Sequence, residues 1–505
     1  MKSEPGLHPL LVLFLAPTAG ALVTLSLAPF HLWPAGIISC ALYAYLLCTC
    51  SVREGVWRSW LYGLGMFGSG VSWVYVSIND FGGAGPALAT FLIVLFCVGL
   101  SVLFQVSFGW FYVRFVRALP GGMLVGFPAS WVLAEWLRSW LLTGFPWLYL
   151  GYAHLDTPIA GWAPVVGVYG LSFVCALTGV CLFLAWRSRQ AVACATYAVI
   201  VITLWAGGAV LKPIEWVVKG SEKPLSVVIF QPNVPQEHKW DPDWYQPILR
   251  QLREASEPHY GADILVWPEA AIPNFYQRAR SFLDPIDERA AANETTLFVG
   301  VPFMAEQGEG YYNSVTALGE GSGVYHKQHL VPFGEYVPLE GLLRGLIAFF
   351  DLPMSAFSAG PLDQAPLRAG PFRVATSVCY EVVYPEMVAR SARNSDLLLT
   401  VSNDSWFGRS IGPLQHLQMA QMRALENGRY MIRGTNNGVS AIVDHRGQIV
   451  SRSEQYVEAT LKGEVNVMLG NTPFGTFGVT PVIAGCGIAL LLMNLMYLAF
   501  WREDR

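Results

Sequence analysis

Charge is what this chain has least of: Asp, Glu, Lys and Arg supply 13% of its 505 residues, against about 25% in an ordinary soluble protein. With 53% hydrophobic residues, 18 Trp and 28 Phe, much of the chain belongs in lipid. A basic excess is missing as well. At a formal net charge of −4, the electrostatic footprint of a nucleic-acid binder is absent, which excludes that class. Ionisable groups are rare inside the apolar runs too, and this argues against a transporter or receptor, which would place such groups within several spans.

Runs long enough to cross a bilayer, which takes about 20 residues per helix, cover 9–29, 34–50, 59–78, 86–112, 119–137, 163–186, 191–211 and 477–501. Eight spans are the simplest reading. If they alternate, Lys2, Arg53, Arg58, Arg114, Arg117, Arg187, Arg189, Arg502 and Arg505 fall on one side, and the loop "SINDFGGAG" on the other side has no Lys or Arg. The excess of basic residues marks the cytoplasmic side, so both termini are expected there and the segment between spans seven and eight outside. Arg138 is the one misfit, at a span end where its side chain can snorkel to the interface. The first run carries Lys2 and small residues near Ala19 like a signal peptide, but its length and Glu4 favour an uncleaved span.

From 212 to 472 charges, Pro and Gly return and no apolar run reaches spanning length. The expected organisation is a membrane domain of seven helices over 1–211, an extracytoplasmic domain over 212–472, and a last helix with a short tail over 473–505. Within the middle part, "LSVVIFQPN", "ADILVWPE", "TLFVGVP", "FRVATSVCYE" and "DLLLTVSND" read as strands, and "DWYQPILRQLREAS" and "LQHLQMAQMRALENG" as helices. Near-continuous Val/Ile/Leu runs alternating with helices predict strands buried on both faces of an α/β layered domain. Each β-run ends in polar residues: Gln231 and Asn233, Glu269, Cys379 and Glu381, Asn403 and Asp404. Functional groups of α/β sheets gather outside the carboxyl ends of strands, so these clusters can meet at one edge.

Of nine cysteines, Cys40, Cys48, Cys50, Cys97, Cys175, Cys181, Cys194 and Cys486 lie in or beside spans, where small apolar packing explains them. Cys379 is alone in the outer domain and has no disulfide partner there. By itself it reads equally as a buried structural thiol or a nucleophile. A nucleophilic thiol needs a base and a donor or cation for the oxyanion. Glu269 in "VWPEAAIP", with Lys327 and Glu335 in "HKQHLVPFGEYVP", supplies candidates, although each alone reads as a solvated charge. A Cys–His alternative would use His326, His329 or His416 as base.

"VWPEAAIP", "HKQHLVPFGEYVP" and "SVCYE", in that order, resemble the Glu, Lys and Cys motifs of the nitrilase (carbon–nitrogen hydrolase) superfamily. With "AEWLRSWLLTGFPWLYLGY", "NVPQEHKWD" and "SNDSWFG", the whole chain resembles the bacterial apolipoprotein N-acyltransferases. The resemblance implies an αββα sandwich on an eight-helix base in the bacterial inner membrane, facing the periplasm. It also implies that Cys379 takes the sn-1 acyl chain of a phospholipid, typically phosphatidylethanolamine, as a thioester. The acyl group then passes to the α-amine of a diacylglyceryl-cysteine at an apolipoprotein's N-terminus. On this reading Glu269 is the general base, Lys327 holds the oxyanion, Glu335 and Glu381 support them, and no metal or organic cofactor is needed.

By the same motif match Trp240, Tyr380, Asn403 and Trp406 contribute to the pocket, with core packing an equal reading for the two Trp. The apolar stretch "LIAFFDLPMSAF", including Phe349 and Phe350, reads as a segment that dips into the outer leaflet or lines a lipid entrance, with a helix packed on its own domain as the alternative. Glu135 in a span invites a functional role, or a local pair with Arg138. The nearest rival is a membrane-anchored amidase or hydrolase, in which water resolves the acyl-enzyme.

Overall fold

A computed structural model describes residues 7–305, 310–337 and 357–503. The stretch holding Phe349 and Phe350 lies outside the described residues. The chain divides into two compact units, one comprising residues 1–75, 85–214 and 477–505, the other 76–84 and 215–476.

The first unit is helical. Among the described residues, five helices are long and apolar enough to cross a membrane: Pro9–Ser26, Pro86–Val116, Pro158–Ser188, Ala191–Leu211 and Thr480–Ala499. Two other expected spans differ in form: Trp33–Leu47 is shorter, and the run at 119–137 is a π-turn, Gly122–Gly126, followed by the helix Phe127–Arg138. The third expected span, 59–78, is not one straight helix. Val52–Gly70 and Val74–Phe81 meet at a 64° bend, and counting that pair as one span gives six. Small residues let the first and third helices touch: a Cβ on Gly65 would lie 1.9 Å from Pro17 O, and one on Gly20 2.0 Å from Tyr62 O, which is how apolar helices associate by van der Waals packing.

Arginines read as loop charges do structural work here. Arg58 is 3% exposed and donates to Leu46 O at 2.7 Å, while Arg117 donates to Leu47 O and Cys50 O. Both therefore cap the carbonyl end of Trp33–Leu47, where positive charge is favoured. Arg138 does not snorkel. It is 2% exposed, and its guanidinium lies over the rings of Phe67 and Tyr149 at 5.6 and 5.2 Å, because aromatic faces can hold a cation away from water. The carboxylate of Glu135 accepts from Trp131 Nε1 and Leu150 N at 2.9 and 3.0 Å.

The second unit is built on two facing sheets. One has six strands in the order Ala459–Val465, Leu225–Gln231, Ile264–Trp267, Thr296–Gly300, Ser314–Gly319, Val324–His326. The other has seven: Ile449–Arg452, Ala441–Val443, Met431–Thr435, Leu397–Ser402, Phe372–Val378, Leu367–Ala369, Gly321–Ser322. The three runs beginning at Leu225, Ile264 and Thr296 are parallel, as are those beginning at Phe372, Leu397 and Met431. Side chains alternate between faces. Val227, Ile229, Ile264, Val266 and Phe298 point to an inter-sheet core shared with Val374, Leu397, Leu399, Val401 and Ile432.

Their neighbours Val228, Phe230, Leu265, Trp267 and Val299 pack instead against the helices Pro242–Ser256 and Tyr276–Ala291, through Leu249, Leu252, Phe282 and Leu283. The helices Pro385–Ala392 and Gly412–Asn427 pack on the second sheet. The layers are thus αββα, and the near-continuous apolar runs follow from strands covered on both sides. In both sheets the central parallel strands end at residues of chemical interest.

Candidate active site

Glu269 follows the strand Ile264–Trp267 by one proline, and the chain turns sharply at Ala270 (φ 45°). Gly300, at the end of the next strand, permits this: a Cβ there would lie 2.1 Å from Pro268 O and 2.8 Å from Glu269 Cα. Its carbonyl also accepts from Ala271 N at 2.8 Å. Lys327 follows Val324–His326, whose neighbour Ser314–Gly319 runs antiparallel to it and to Thr296–Gly300. The carboxyl end of one strand and the amino end of the other therefore share the edge that carries Glu269. Cys379 ends Phe372–Val378 in the facing sheet, in a left-handed conformation (φ 53°). Such backbone costs about 1–3 kcal/mol for a residue with a Cβ and persists only where the surroundings impose it.

These residues meet. Lys327 Nζ lies 2.8 Å from Glu335 Oε2 and 3.9 Å from Glu269 Oε1, with Lys327 1% exposed. Asn313 joins the two carboxylates, its Nδ2 donating to Glu269 Oε1 at 2.7 Å and to Glu335 Oε1 at 3.0 Å. Its carbonyl accepts from Lys327 N at 2.8 Å. The second oxygen of Glu269 accepts from Asn403 N at 2.6 Å, so Asn403 joins the site through its backbone. Lys239, 3% exposed, donates to Glu269 O at 3.1 Å. Glu381 accepts from Val378 N at 2.7 Å, from Gln328 N at 2.6 Å, from His329 N and from the Tyr325 hydroxyl. It ties the backbone after Lys327 to the backbone before Cys379.

Burial and the charge of Glu269 raise the Cys379 thiol well above its ordinary value, against the pull of Lys327. Burial also raises the Glu269 carboxyl, opposed by Lys327. Lys327 stays firmly protonated, since Glu335 and Glu269 outweigh the burial that disfavours its charge. Burial lowers Lys239 to about 8 and raises Glu381 to about 7. The site therefore holds a protonated thiol, a carboxylate with elevated proton affinity and a fixed cation, which are the parts needed to activate a nucleophile and hold an oxyanion.

Profiles of two families match the chain: "Apolipoprotein N-acyltransferase N-terminal domain" over residues 19–181 and "Carbon-nitrogen hydrolase" over 229–473. An apolipoprotein N-acyltransferase of Pseudomonas paraeruginosa is 48% identical over 483 residues, covering 94% of both chains. The enzyme of that name from Pseudomonas putida is 46% identical over 481 residues, 94% of this chain and 95% of that one. The one from Vibrio parahaemolyticus is 38% identical over 488 residues, with 94% and 95% covered. The chain belongs to the apolipoprotein N-acyltransferase family.

In this member of the apolipoprotein N-acyltransferase family, Glu269, Lys327, Cys379, Glu335 and Asn403 converge. The pocket candidates are more dispersed. Tyr380 is buried, its ring edge-on to Tyr384 at 5.3 Å. Trp240, beside Lys239, stays 40% exposed. Trp406 turns its ring to Phe81 at 5.5 Å, and its carbonyl accepts from Ser77 at 2.6 Å. His416, weighed from sequence as a thiol base, has Nε2 3.1 Å from the carbonyl of Cys379, and His326 Nδ1 is 2.7 Å from Ser314 Oγ. Asn313 and Lys239 are additions to the sequence reading. Asn313 had one signal, a polar residue opening a β-run whose antiparallel direction brings its start to the functional edge.

Proposed function

We propose that this protein is a phospholipid:apolipoprotein N-acyltransferase working through a thioester on Cys379. The observation that carries the reading is the Glu269–Lys327–Cys379 arrangement, its carboxylate and cation buried and its thiol partly open and in need of a base, in a chain whose other unit is apolar helices. Glu269 takes the thiol proton as sulfur attacks the sn-1 carbonyl of a phospholipid such as phosphatidylethanolamine, and Lys327 holds the oxyanion. The C–O ester bond breaks, Glu269 returns the proton to the departing glycerol oxygen, and a lysophospholipid leaves. The neutral α-amine of a diacylglyceryl-cysteine on an apolipoprotein then attacks the thioester and loses its proton to Glu269. The C–S bond breaks, the amide forms and the thiol is restored. Glu335 and Glu381 hold the cation and the nucleophile in register, and Trp240, Tyr380, Asn403 and Trp406 border the lipid.

The same reading assigns a membrane domain to 1–211, the catalytic domain to 212–472 and the last helix and tail to 473–505. It gives eight spans in the bacterial inner membrane, both termini cytoplasmic and the catalytic domain periplasmic. Because each bulky lipid uses the site in turn, the kinetics are ping-pong.

Purified protein loaded from phosphatidylethanolamine labelled in its sn-1 chain is expected to retain hydroxylamine-sensitive label. On addition of a diacylglyceryl-cysteine peptide the label passes to the peptide as an amide. Release as free fatty acid at one rate with or without peptide would identify a membrane-anchored hydrolase instead. A second expectation concerns pH. The base works ionised, and Glu269 is held above the ordinary carboxylate value. Single-turnover acylation should therefore rise with pH through an inflection displaced upward from that of a free glutamate, and Glu269→Gln should flatten the rise with a loss of about 10²–10⁴-fold. A rise unchanged in Glu269→Gln excludes this residue as base.

A further inference from the structure

Behind the nucleophile lies a second buried polar cluster for which the chemistry above has no use. His416, Asp404 and Arg433 are each 0% exposed. His416 Nε2 is 3.1 Å from Cys379 O, and its Nδ1 is 3.1 Å from Arg433 Nη2 and 3.2 Å from Asp404 Oδ1. Asp404 accepts from Arg433 Nη2 at 2.7 Å through Oδ2 and from Ser402 Oγ at 2.6 Å through Oδ1. The three come from separate elements: the 3₁₀ turn Asp404–Phe407, the helix Gly412–Asn427 and the strand Met431–Thr435.

Chemistry fixes the roles. A carbonyl only accepts, so the proton on His416 sits on Nε2 and points at Cys379 O. Nδ1 stands between a donor, Arg433 Nη2, and an acceptor, Asp404 Oδ1, which hold the ring from its far side. Asp404 Oδ2 accepts from Arg433 Nη2 and neutralises its charge. The group they reach is the peptide joining Cys379 to Tyr380, at the residue whose backbone is left-handed (φ 53°). In a trans peptide the N–H opposes the C=O. Holding Cys379 O towards His416 therefore aims the Tyr380 N–H the opposite way and sets the direction in which the Cys379 Cα–Cβ bond leaves the backbone.

We propose that Asp404, Arg433 and His416 form a positioning network that clamps the peptide after Cys379 and so aims the thiol and the adjoining N–H at the acyl carbonyl. This rests on Cys379 being the nucleophile, and the test separates the two ideas. His416→Phe keeps the ring shape and removes the donor; His416→Gln restores an N–H near the position of Nε2. In single-turnover acylation from labelled phosphatidylethanolamine, the Phe variant should lose on the order of 10²-fold in rate with an unchanged KM for lipid. The Gln variant should recover at least about tenfold of that loss.

A Phe variant that acylates like wild type, or a Gln variant no faster than a folded Phe variant, overturns the proposal. If the Phe variant does not fold, the Gln variant decides alone: within about tenfold of wild type with the same pH profile it supports the clamp, and a loss as deep as that of Cys379→Ala refutes it. Alkylation of Cys379 by iodoacetamide, read by mass of its peptide, is independent of the acyl-enzyme. Wild type without thioester label sinks the thioester reading. Equal alkylation rates at Cys379 in wild type and the folded Phe variant sink the clamp.

Discussion

Cys379→Ala is expected to abolish the hydroxylamine-sensitive acyl label, a fall of more than about 10³-fold, consistent with loss of a covalent nucleophile. The unfolding temperature should stay within a few degrees of wild type. The two readouts separate because the thiol contributes little to the core. It has a partly open face, its ionisation is disfavoured by burial, and alanine keeps the Cβ at the same φ. The buried neighbours Glu269, Lys327 and Glu335 keep their own pairing. Label persisting at the wild-type level with Cys40, Cys175 and the other cysteines intact would mean that the acyl group is carried elsewhere and would refute the thioester mechanism.

Lys327→Met should damage both turnover and folding. Loss of the oxyanion cation costs on the order of 10²–10³-fold in acylation. Removing one partner of a buried ion cluster also leaves uncompensated charge, worth about 3–5 kcal/mol. The sign of the pH effect follows. Without Lys327 the Glu269 carboxyl, raised by burial, loses the cation that opposes the rise and retains a proton that the unfolded chain releases. The folded state then binds more protons, and stability falls as pH rises through the ordinary carboxylate range.

Thermal unfolding in detergent should therefore show a larger loss at pH 8 than at pH 5. Adding Glu335→Gln to Lys327→Met should restore much of the stability and none of the turnover. Acylation within tenfold of wild type in Lys327→Met would remove this residue from the oxyanion site.

What could be read in the sequence depended on burial from both sides. Ile264–Trp267, Thr296–Gly300 and Leu397–Ser402 are buried at every position, so their apolar runs stand out. Ala459–Val465 alternates between half-buried and exposed residues along an edge up to the buried Val465, and "ATLKGEV" carries no such run. The third span misled for the converse reason. Both arms of the bend after Gly70 are apolar, and hydropathy passes through a break that only backbone geometry reveals.

In the site, Glu269 and Cys379 stood out as polar residues ending β-runs and Lys327 in a turn-like stretch, but only the resemblance of the three motifs as a set joined them. Asn313 opens its strand, and Lys239 and Arg433 reach their partners only once distant elements close around them. His416 was weighed as a thiol base, and its spacing in a helical pattern could not show that its Nε2 faces the Cys379 carbonyl.

Glu381 has a wider consequence. Its carboxylate accepts backbone N–H groups from the segment after Lys327 and from the residue before Cys379, so the separation of cation and sulfur is set main chain to main chain, like the jaws of a fixed gauge. In the proposed reaction, donor and acceptor lipids that differ in bulk then meet one reacting geometry.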